Sequence, residues 1–222
     1  MTVVATFPKL AHDWLTHELD PQLYRRAGKF NEGAGLLTTG MVLGAVPGEP
    51  VAAAKAGGNT GNGTFVLDED TPALVNAKPG EKLTLRFTTT TNVRLETEDG
   101  AVLADIAIGG ASGNSVTVNE RVKGVLTQGA TPFAAGDGFD VLVPDEVAYE
   151  QINFASATGA QRASAILINT IDARVSAGES AVLIGHAQIV PHQLVWPEGA
   201  TSTQKARALA QLGQLGIVSH QR

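Results

Sequence analysis

Histidines that lie close to acidic residues or to another histidine are the first feature of this sequence that suggests chemistry. Three pairs could begin a metal site: His12-Asp13, His17-Glu18, and His186 with His192. Zinc needs at least a third ligand at a suitable distance, and near the last pair only Glu179 and Glu198 could supply one. Histidines with structural hydrogen bonds are the simpler interpretation. The sequence therefore predicts no metal site and no cofactor.

Motifs of known enzymes are present only in part. Trp196-Pro197-Glu198 has the letters of the mobile acid loop of tyrosine phosphatases, but that chemistry needs a cysteine and the chain has none. The glycine-rich run 58–63 lacks the lysine and the hydroxyl residue of a phosphate-binding loop. No Gly-x-Ser-x-Gly nucleophile motif occurs. We therefore expect that the protein is not an enzyme.

The composition predicts a folded, β-rich chain. Apolar residues make up 43% of the 222 positions, enough for a packed core, and 25 glycines with only 5% aromatics favour strands and turns over a helical bundle. A net charge of −6 argues against nucleic-acid binding, which requires clustered Lys and Arg. The chain has neither an apolar run of 18 residues nor a signal-peptide pattern, so no membrane partner is expected.

The stretch 181–218, which contains two of the histidines and the Trp-Pro-Glu run, has the clearest local signals. Its apolar residues 181–190 predict a strand buried on both faces. Thr201 and Gln204 have the spacing of a capping box and predict the start of a helix. The predicted apolar stripe of this helix is Ala206, Leu209, Ala210 and Leu212. Gly213 and Gly216 should end the helix before a last strand at residues 217–218.

Residues 57–144 have the pattern of a separate β domain. They begin with a turn-rich hinge at 57–63, and further on Leu83, Leu85 and Phe87 alternate along one strand face. Asp99-Gly100 lies between two alternating runs, which is a strong hairpin signal. The segment has 6 basic and 11 acidic residues, so −5 of the total charge lies there, as expected for a solvated domain. We expect six or seven short strands in an antiparallel sandwich or barrel.

Residues 1–35 mix apolar side chains with charges and prolines. Such a segment has little apolar area to offset its ordering entropy, so we expect a flexible N-terminal arm. The alternative is an arm that orders on a partner, with aromatic and leucine side chains as anchors. The candidate anchors are Phe7, Trp14, Leu15, Leu19, Leu23 and Tyr24.

The order of signals near the C-terminal end resembles a known family. A long apolar strand, the run Leu194-Val195-Trp196-Pro197-Glu198, a polar spacer, a small helix and Leu215-Gly216-Ile217 are similar to the head decoration proteins of tailed bacteriophages, the decoration protein D family of lambda-like phages. The resemblance covers about residues 1–56 and 145–222. It implies a mainly β fold with minor α content. The small body would be formed by 36–56 and 145–222 with one short C-terminal helix, residues 1–35 would be a capsid-binding arm, and 57–144 an inserted β domain.

The same resemblance implies a structural protein on the outer surface of the virion capsid, made in the host cytoplasm. Members of this family act as homotrimers at three-fold and quasi-three-fold positions of the expanded shell, bind the major capsid protein, and reinforce the shell against DNA pressure. Neither nucleic acid nor a membrane is an expected partner. The residues expected in the trimer-forming body are Leu194, Trp196, Pro197, Glu198, Leu209 and Leu212.

A second hypothesis treats residues 57–144 as an adhesion module that binds a glycan or a protein on a cell surface. Sugar binding would favour exposed aromatic rings. The four phenylalanines of this segment fit a core better than an exposed platform: Phe65, Phe87, Phe133 and Phe139.

Overall fold

The computed structural model describes residues 9–69 and 73–220, and it is mainly β with one longer helix near the C-terminal end, as the sequence predicts. The described residues form two compact units. Unit 1 contains the chain up to Val46, then 148–156 and 160 onward, and unit 2 contains 47–147 and 157–159. Unit 2 is thus one nearly continuous stretch between two parts of unit 1.

The helices and strands follow one another along the chain in three groups. Up to residue 47 they are α1 (Ala11–Trp14), β1 (Leu15–Glu18), α2 (Pro21–Tyr24), β2 (Arg25–Phe30), β3 (Gly35–Leu37) and β4 (Val42–Pro47). Up to residue 142 they are β5 (Val51–Ala54), β6 (Thr64–Leu67), β7 (Leu74–Val75), β8 (Lys82–Phe87), β9 (Asn92–Thr97), β10 (Val102–Ala107), β11 (Ser115–Thr127) and β12 (Gly138–Leu142). The remainder are β13 (Val147–Gln151), β14 (Ala163–Leu167), β15 (Ile171–Ala173), β16 (Gly178–Leu183), β17 (Ala187–Ile189), a 3-10 turn (Pro191–Gln193), α3 (Ser202–Gln214) and β18 (Ile217–Ser219).

Five strands of unit 1 form a closed barrel in the order β13-β2-β16-β14-β4. Neighbouring residues on its strands enter two different apolar clusters. Leu43, Leu167 and Val182 belong to one cluster, and the adjacent Val42, Ile166 and Leu183 belong to the other. Because side chains alternate along a strand, both faces of these strands are buried. The continuous apolar runs predicted this arrangement.

The prediction of one strand over 181–190 is wrong in its extent. The chain forms β16 and β17 with a break between them, where His186 has a φ of +36°. β17 then joins β1 and β18 in a separate three-stranded sheet. The break allows the chain to pass from the barrel, which contains β16, into a second sheet, which contains β17. An apolar run alone does not reveal such a change of sheet.

Helix α3 begins as predicted and turns a different face to the core. Thr201 and Gln204 form the capping box. The buried helix residues are Ala208 and Leu212, Leu209 is half-buried, and Ala206 and Ala210 are exposed. The predicted stripe is therefore wrong at its two alanines. Residues 208 and 212 are four positions apart and therefore lie on the same side of the helix, and this is the side that faces the core.

The predicted flexible arm is wrong for residues 9–35, which are part of the fold of unit 1. Strand β1 pairs with β17, and β2 pairs with β16 over six residue pairs. Trp14 is fully buried in the cluster that also contains Ile189 and Leu212. The stabilisation comes from partners at least 148 residues away in the chain, and a local estimate of apolar content omits them.

Unit 2 consists of two antiparallel sheets around one core. The five-stranded sheet has the order β10-β9-β8-β12-β5, and the three-stranded sheet has the order β6-β11-β7. Leu83, Leu85 and Phe87 are buried as predicted, and β9 and β10 form the predicted hairpin around Asp99-Gly100. Residues 115–127 form one long strand, β11.

The boundary of unit 2 lies earlier than the one drawn from the sequence, which assigned residues 36–56 to the body. The contacts divide after Val46 because β5 pairs with β12 along its whole length. The glycine-rich segment 57–63 is anchored as well, since the Asp137 carboxylate accepts hydrogen bonds from the Thr60 and Gly61 amides at 2.9 Å.

Candidate functional site

Exposed leucines surround the break between β16 and β17 in unit 1. We call this the leucine surface: Leu19, Leu23 and Leu215, together with Tyr24 and His186, whose rings are in contact. Leu19 and Leu23 are 66% and 63% exposed, although most large apolar side chains of unit 1 are buried. Clustered exposed apolar side chains are typical of surfaces that bind a partner.

Backbone hydrogen bonds to His186 bring the leucine surface together from three parts of the chain. Leu19 N donates to the His186 carbonyl at 3.1 Å, and His186 N donates to the Leu215 carbonyl at 3.1 Å. The Tyr24 ring lies 4.6 Å from the His186 ring, centroid to centroid, at a tilt of 45°. Gly216 allows this approach, because a Cβ at that position would come within 2.8 Å of His186 Nδ1. The leucines are therefore presented on an ordered framework.

An ion pair braces the turn that presents Leu19 and Leu23. Arg25 donates to Glu18 through Nε at 3.0 Å and through Nη2 at 2.7 Å. The hydrogen bond that Arg25 donates to Glu18 raises the pKa of Arg25 above its usual value. Asp20 also accepts a hydrogen bond from the Gln22 amide at 2.8 Å and so caps α2. The paired arginine and the cap hold the loop between β1 and β2 in one conformation.

The predicted arm anchors have different positions in the structure. Leu19 and Leu23 are exposed, Leu15 and Tyr24 are half-buried, and Trp14 is buried. Phe7 lies outside the described residues. Trp14 is thus a core residue of unit 1, and Leu19 and Leu23 are the two candidates whose side chains are exposed. His186 and Leu215 were not among the candidates, because the sequence contains no signal that places them beside residues 19–24.

The predicted body residues are partly core and partly surface. Leu194 and Leu212 are buried, and Trp196 and Leu209 are half-buried against the same cluster. Pro197 and Glu198 line a cleft instead. Trp196 is therefore not the largest buried side chain of unit 1; Trp14 is.

That cleft has a volume of about 490 Å³ and contains a half-buried carboxylate. Glu150, on β13, lines it together with Glu198, Asn153 and Gln204. Burial raises the pKa of the Glu150 carboxyl. Among residues 9–69 and 73–220, no basic side chain pairs with Glu150. The cleft is therefore acidic. Keeping the half-buried Glu150 carboxylate charged at neutral pH lowers the stability of the folded state, and no paired basic side chain within the described residues offsets this effect.

The candidate metal ligands do not come together. His186 packs on Tyr24, and His192 is exposed in the 3-10 turn. His12 lies 3.5 Å from the exposed Asp13 carboxylate. No cluster of three metal-binding side chains occurs in the part of the chain that the structure describes. Within the same residues, no helix has the length and apolarity needed to cross a membrane.

The phenylalanines of unit 2 lie inside it. Phe133 stacks on Phe87 at 4.3 Å between ring centroids, and Phe139 meets the Phe133 ring edge-on at 5.8 Å. All four are at most 8% exposed. They form the core of the sandwich, so they provide no surface on which a sugar ring could stack.

These features together define a β-rich protein with exposed leucines on hydrogen-bonded segments of unit 1. Comparison with known families assigns the class more closely. The family model described as bacteriophage lambda head decoration protein D matches residues 4–217. Because this match covers almost the whole chain, the protein belongs to the family of phage head decoration proteins, and its role is that of a structural capsid decoration protein of the bacteriophage head.

Other comparisons add little. No curated protein matches the chain. Two crystal structures of FlgL from Xanthomonas campestris match with 19% and 18% sequence identity and TM-scores of 0.33 and 0.32. Each match covers 50% of this chain and 33% of the FlgL chain. The chain thus spans about a third of the solved structures that it matches, and at these scores the similarity carries no argument about function.

Proposed function

We propose that this protein binds the expanded head shell as a homotrimer at three-fold and quasi-three-fold sites and reinforces the shell against internal DNA pressure. The observation that carries the proposal is the family match over residues 4–217. We further propose that the leucine surface is the part of unit 1 that contacts the major capsid protein.

The leucine surface suits this task for two physical reasons. Its apolar side chains lose contact with water only when a partner covers them, so their burial favours binding by about 25 cal/mol for each Å². The Glu18–Arg25 pair and the bonds to His186 hold the surface in place before binding. Little ordering entropy is then lost on docking.

A trimer would present three copies of the leucine surface to the shell at once. Three copies of a weak surface on one particle raise the overall affinity through effective concentration, provided that all three sites can be reached together. The reinforcement needs no covalent step, because each bound trimer adds contacts that must break before the shell can rupture. Unit 1 would provide the trimer-forming body, and unit 2 the inserted domain.

Two measurements test this proposal. Light scattering on the purified protein should give the mass of three 23.0 kDa chains. DNA-filled heads that lack decoration protein should release their DNA at a lower temperature than the same heads incubated with this protein. A monomeric mass, or equal release temperatures with saturating protein, would contradict the proposal.

A further inference from the structure

Strand β5 is an edge strand of the five-stranded sheet of unit 2, and Pro50 directly precedes it. It pairs with β12, and within the described residues no strand pairs with its other side. Its sequence, Val-Ala-Ala-Ala, has no charge, and Val51 is 62% exposed. At the opposite edge, β10 carries Asp105, which pairs with Arg94 at 2.8 Å. Edge strands without a charge, proline or cover are sites where another strand can add.

The free peptide groups of β5 can be assigned from its pairing. Lys55 N donates to the Gly138 carbonyl at 3.0 Å. In an antiparallel pair the hydrogen-bonded residues alternate, so Ala53 and Val51 also direct their peptide groups toward β12. Ala52 and Ala54 therefore direct theirs toward the open side. Those groups are the ones that an added strand would use.

Charges of opposite sign flank β5 at equal distances from its centre. Glu49 lies three residues before Ala52, and Lys55 lies three residues after it. If two copies of this strand pair antiparallel about a two-fold axis at Ala52, Glu49 of each copy stands opposite Lys55 of the other. Ala52 is also a residue whose peptide groups are free. The strand is thus complementary to itself in charge, and the Ala52 peptide groups of the two copies can bond to each other, whereas Pro50, opposite Ala54, has no amide to donate.

We propose that the β5 edge is a docking site for the same edge of a second copy of this chain, which would join two five-stranded sheets into one. This contact is isologous, so one surface serves both partners. Main-chain hydrogen bonds would supply affinity and the two Glu49–Lys55 pairs would set the register. Glu49 also accepts a hydrogen bond from the Ala73 amide at 3.3 Å, which orders its side chain near the strand.

The surface beside this edge fits the proposed pairing. A cleft of about 660 Å³ runs along the sheet and is lined by Val51, Ala53 and Leu142. Leu142 is 48% exposed and stands opposite Val51 in the β5–β12 pair. In the proposed register, Val51 of the second copy lies opposite Ala53 at the margin of the cleft. Docking would therefore cover apolar side chains that are otherwise in water.

This inference does not depend on shell binding, since it concerns unit 2 alone. If the proposed function also holds, the β5 contact would connect molecules seated at neighbouring sites of the shell. It would then act in addition to the contacts of the leucine surface.

Sedimentation velocity on the full chain, without heads and from about 1 to 100 µM, tests the inference. The wild type should associate beyond its basal oligomer as concentration rises. Glu49→Lys places lysine opposite lysine, and Lys55→Glu places glutamate opposite glutamate, so each variant should associate about tenfold more weakly. An equimolar mixture of the two variants restores both opposite pairs and should recover wild-type association. Glu120→Lys, an exposed charge reversal on β11, is the matched control and should associate as the wild type does.

Ala52→Pro provides an independent test, because it removes an amide that points to the open side and is not bonded to β12. It should abolish the added association and leave the circular dichroism spectrum unchanged. If this variant does not fold, the mixture of charge variants decides the question alone. Equal association of the wild type and Glu49→Lys, or a mixture that fails to recover, would overturn the proposal.

Discussion

Trp14 Nε1 donates a hydrogen bond to Thr39 Oγ1 at 3.2 Å, and the same hydroxyl donates to the Ile168 carbonyl at 2.6 Å. Thr39 is itself buried, at 4% exposure. This chain of bonds ties a residue near the start of the sequence to two later segments of unit 1. Gly40 lies directly beneath the indole, where a Cβ would approach Trp14 Cδ1 to 2.9 Å. The N-terminal segment from residue 9 onward is therefore structural.

Trp14→Ala should lower the free energy of unfolding of unit 1 by about 3–5 kcal/mol, because it removes a fully buried aromatic side chain and leaves a cavity. Urea denaturation monitored by the fluorescence of Trp196 measures this. Leu23→Ala, at an exposed position in the same segment, is the control and should change stability by less than about 0.5 kcal/mol. If the N-terminal segment were a flexible arm, neither variant would change the free energy of unfolding.

The leucine surface gives a prediction that separates binding from folding. Leu19→Asp combined with Leu23→Asp should leave the melting temperature almost unchanged, since both side chains are exposed, and should weaken binding to expanded heads by at least about tenfold. Cosedimentation with heads measures the loss. Val175→Asp alters the most exposed large apolar residue of the described chain, at the other end of β16, and should bind as the wild type does. Equal weakening by both variants would show that the leucine surface has no special role.

Asp137 should make the stability of unit 2 depend on pH, with a loss of stability at low pH. Burial acts to raise the pKa of its carboxyl, but hydrogen bonds from the Ala134, Thr60 and Gly61 amides outweigh burial and lower that pKa below its usual value. A carboxylate with a lowered pKa contributes stability above the pKa of the unfolded chain, and this contribution disappears as pH falls through the folded value. Stability should therefore drop below about pH 4.

Asp137→Ala leaves those amides without their acceptor and should cost about 3 kcal/mol at pH 7, with a smaller difference from the wild type at pH 3. Chemical denaturation at the two pH values is the measurement. A cost that stays constant with pH would mean that the charge of the carboxylate is not what anchors the glycine-rich segment.

Glu150 should have the opposite pH dependence. Burial raises the pKa of its carboxyl, so the charged form destabilises the folded state at neutral pH, and this cost disappears as pH falls through the raised value. Glu150→Gln should stabilise unit 1 at pH 7, by less than about 1 kcal/mol because solvent still reaches the half-buried side chain. Glu198→Gln alters the exposed carboxylate of the same cleft and should have no effect. A destabilising Glu150→Gln would reveal an unrecognised partner for the charge.

The sequence predicted those features that depend on neighbours along the chain. The capping box of Thr201 and Gln204 and the hairpin at Asp99-Gly100 are set by residues a few positions apart, and both are confirmed. The alternation of Leu83, Leu85 and Phe87 likewise identified a half-buried strand. The family resemblance rested on the order of such local signals, and the family match confirms it.

The sequence did not predict features that depend on distant partners. Trp14 is buried by residues from β17 and α3, and β5 joins unit 2 through β12, almost ninety positions later. His186 interrupts an apolar run because β17 pairs with β1 and β18 in another sheet. The leucine surface combines residues 19, 23 and 215, whose proximity follows from those long-range pairings.

The most direct test of the account is the binding of the purified wild-type protein to expanded heads and to immature, unexpanded heads, measured side by side by cosedimentation. We predict saturable binding to expanded heads and at least about tenfold weaker binding to unexpanded heads, because the three copies of the proposed trimer can engage together only where the lattice spacing matches. Equal binding to both forms, or none to expanded heads, would contradict it.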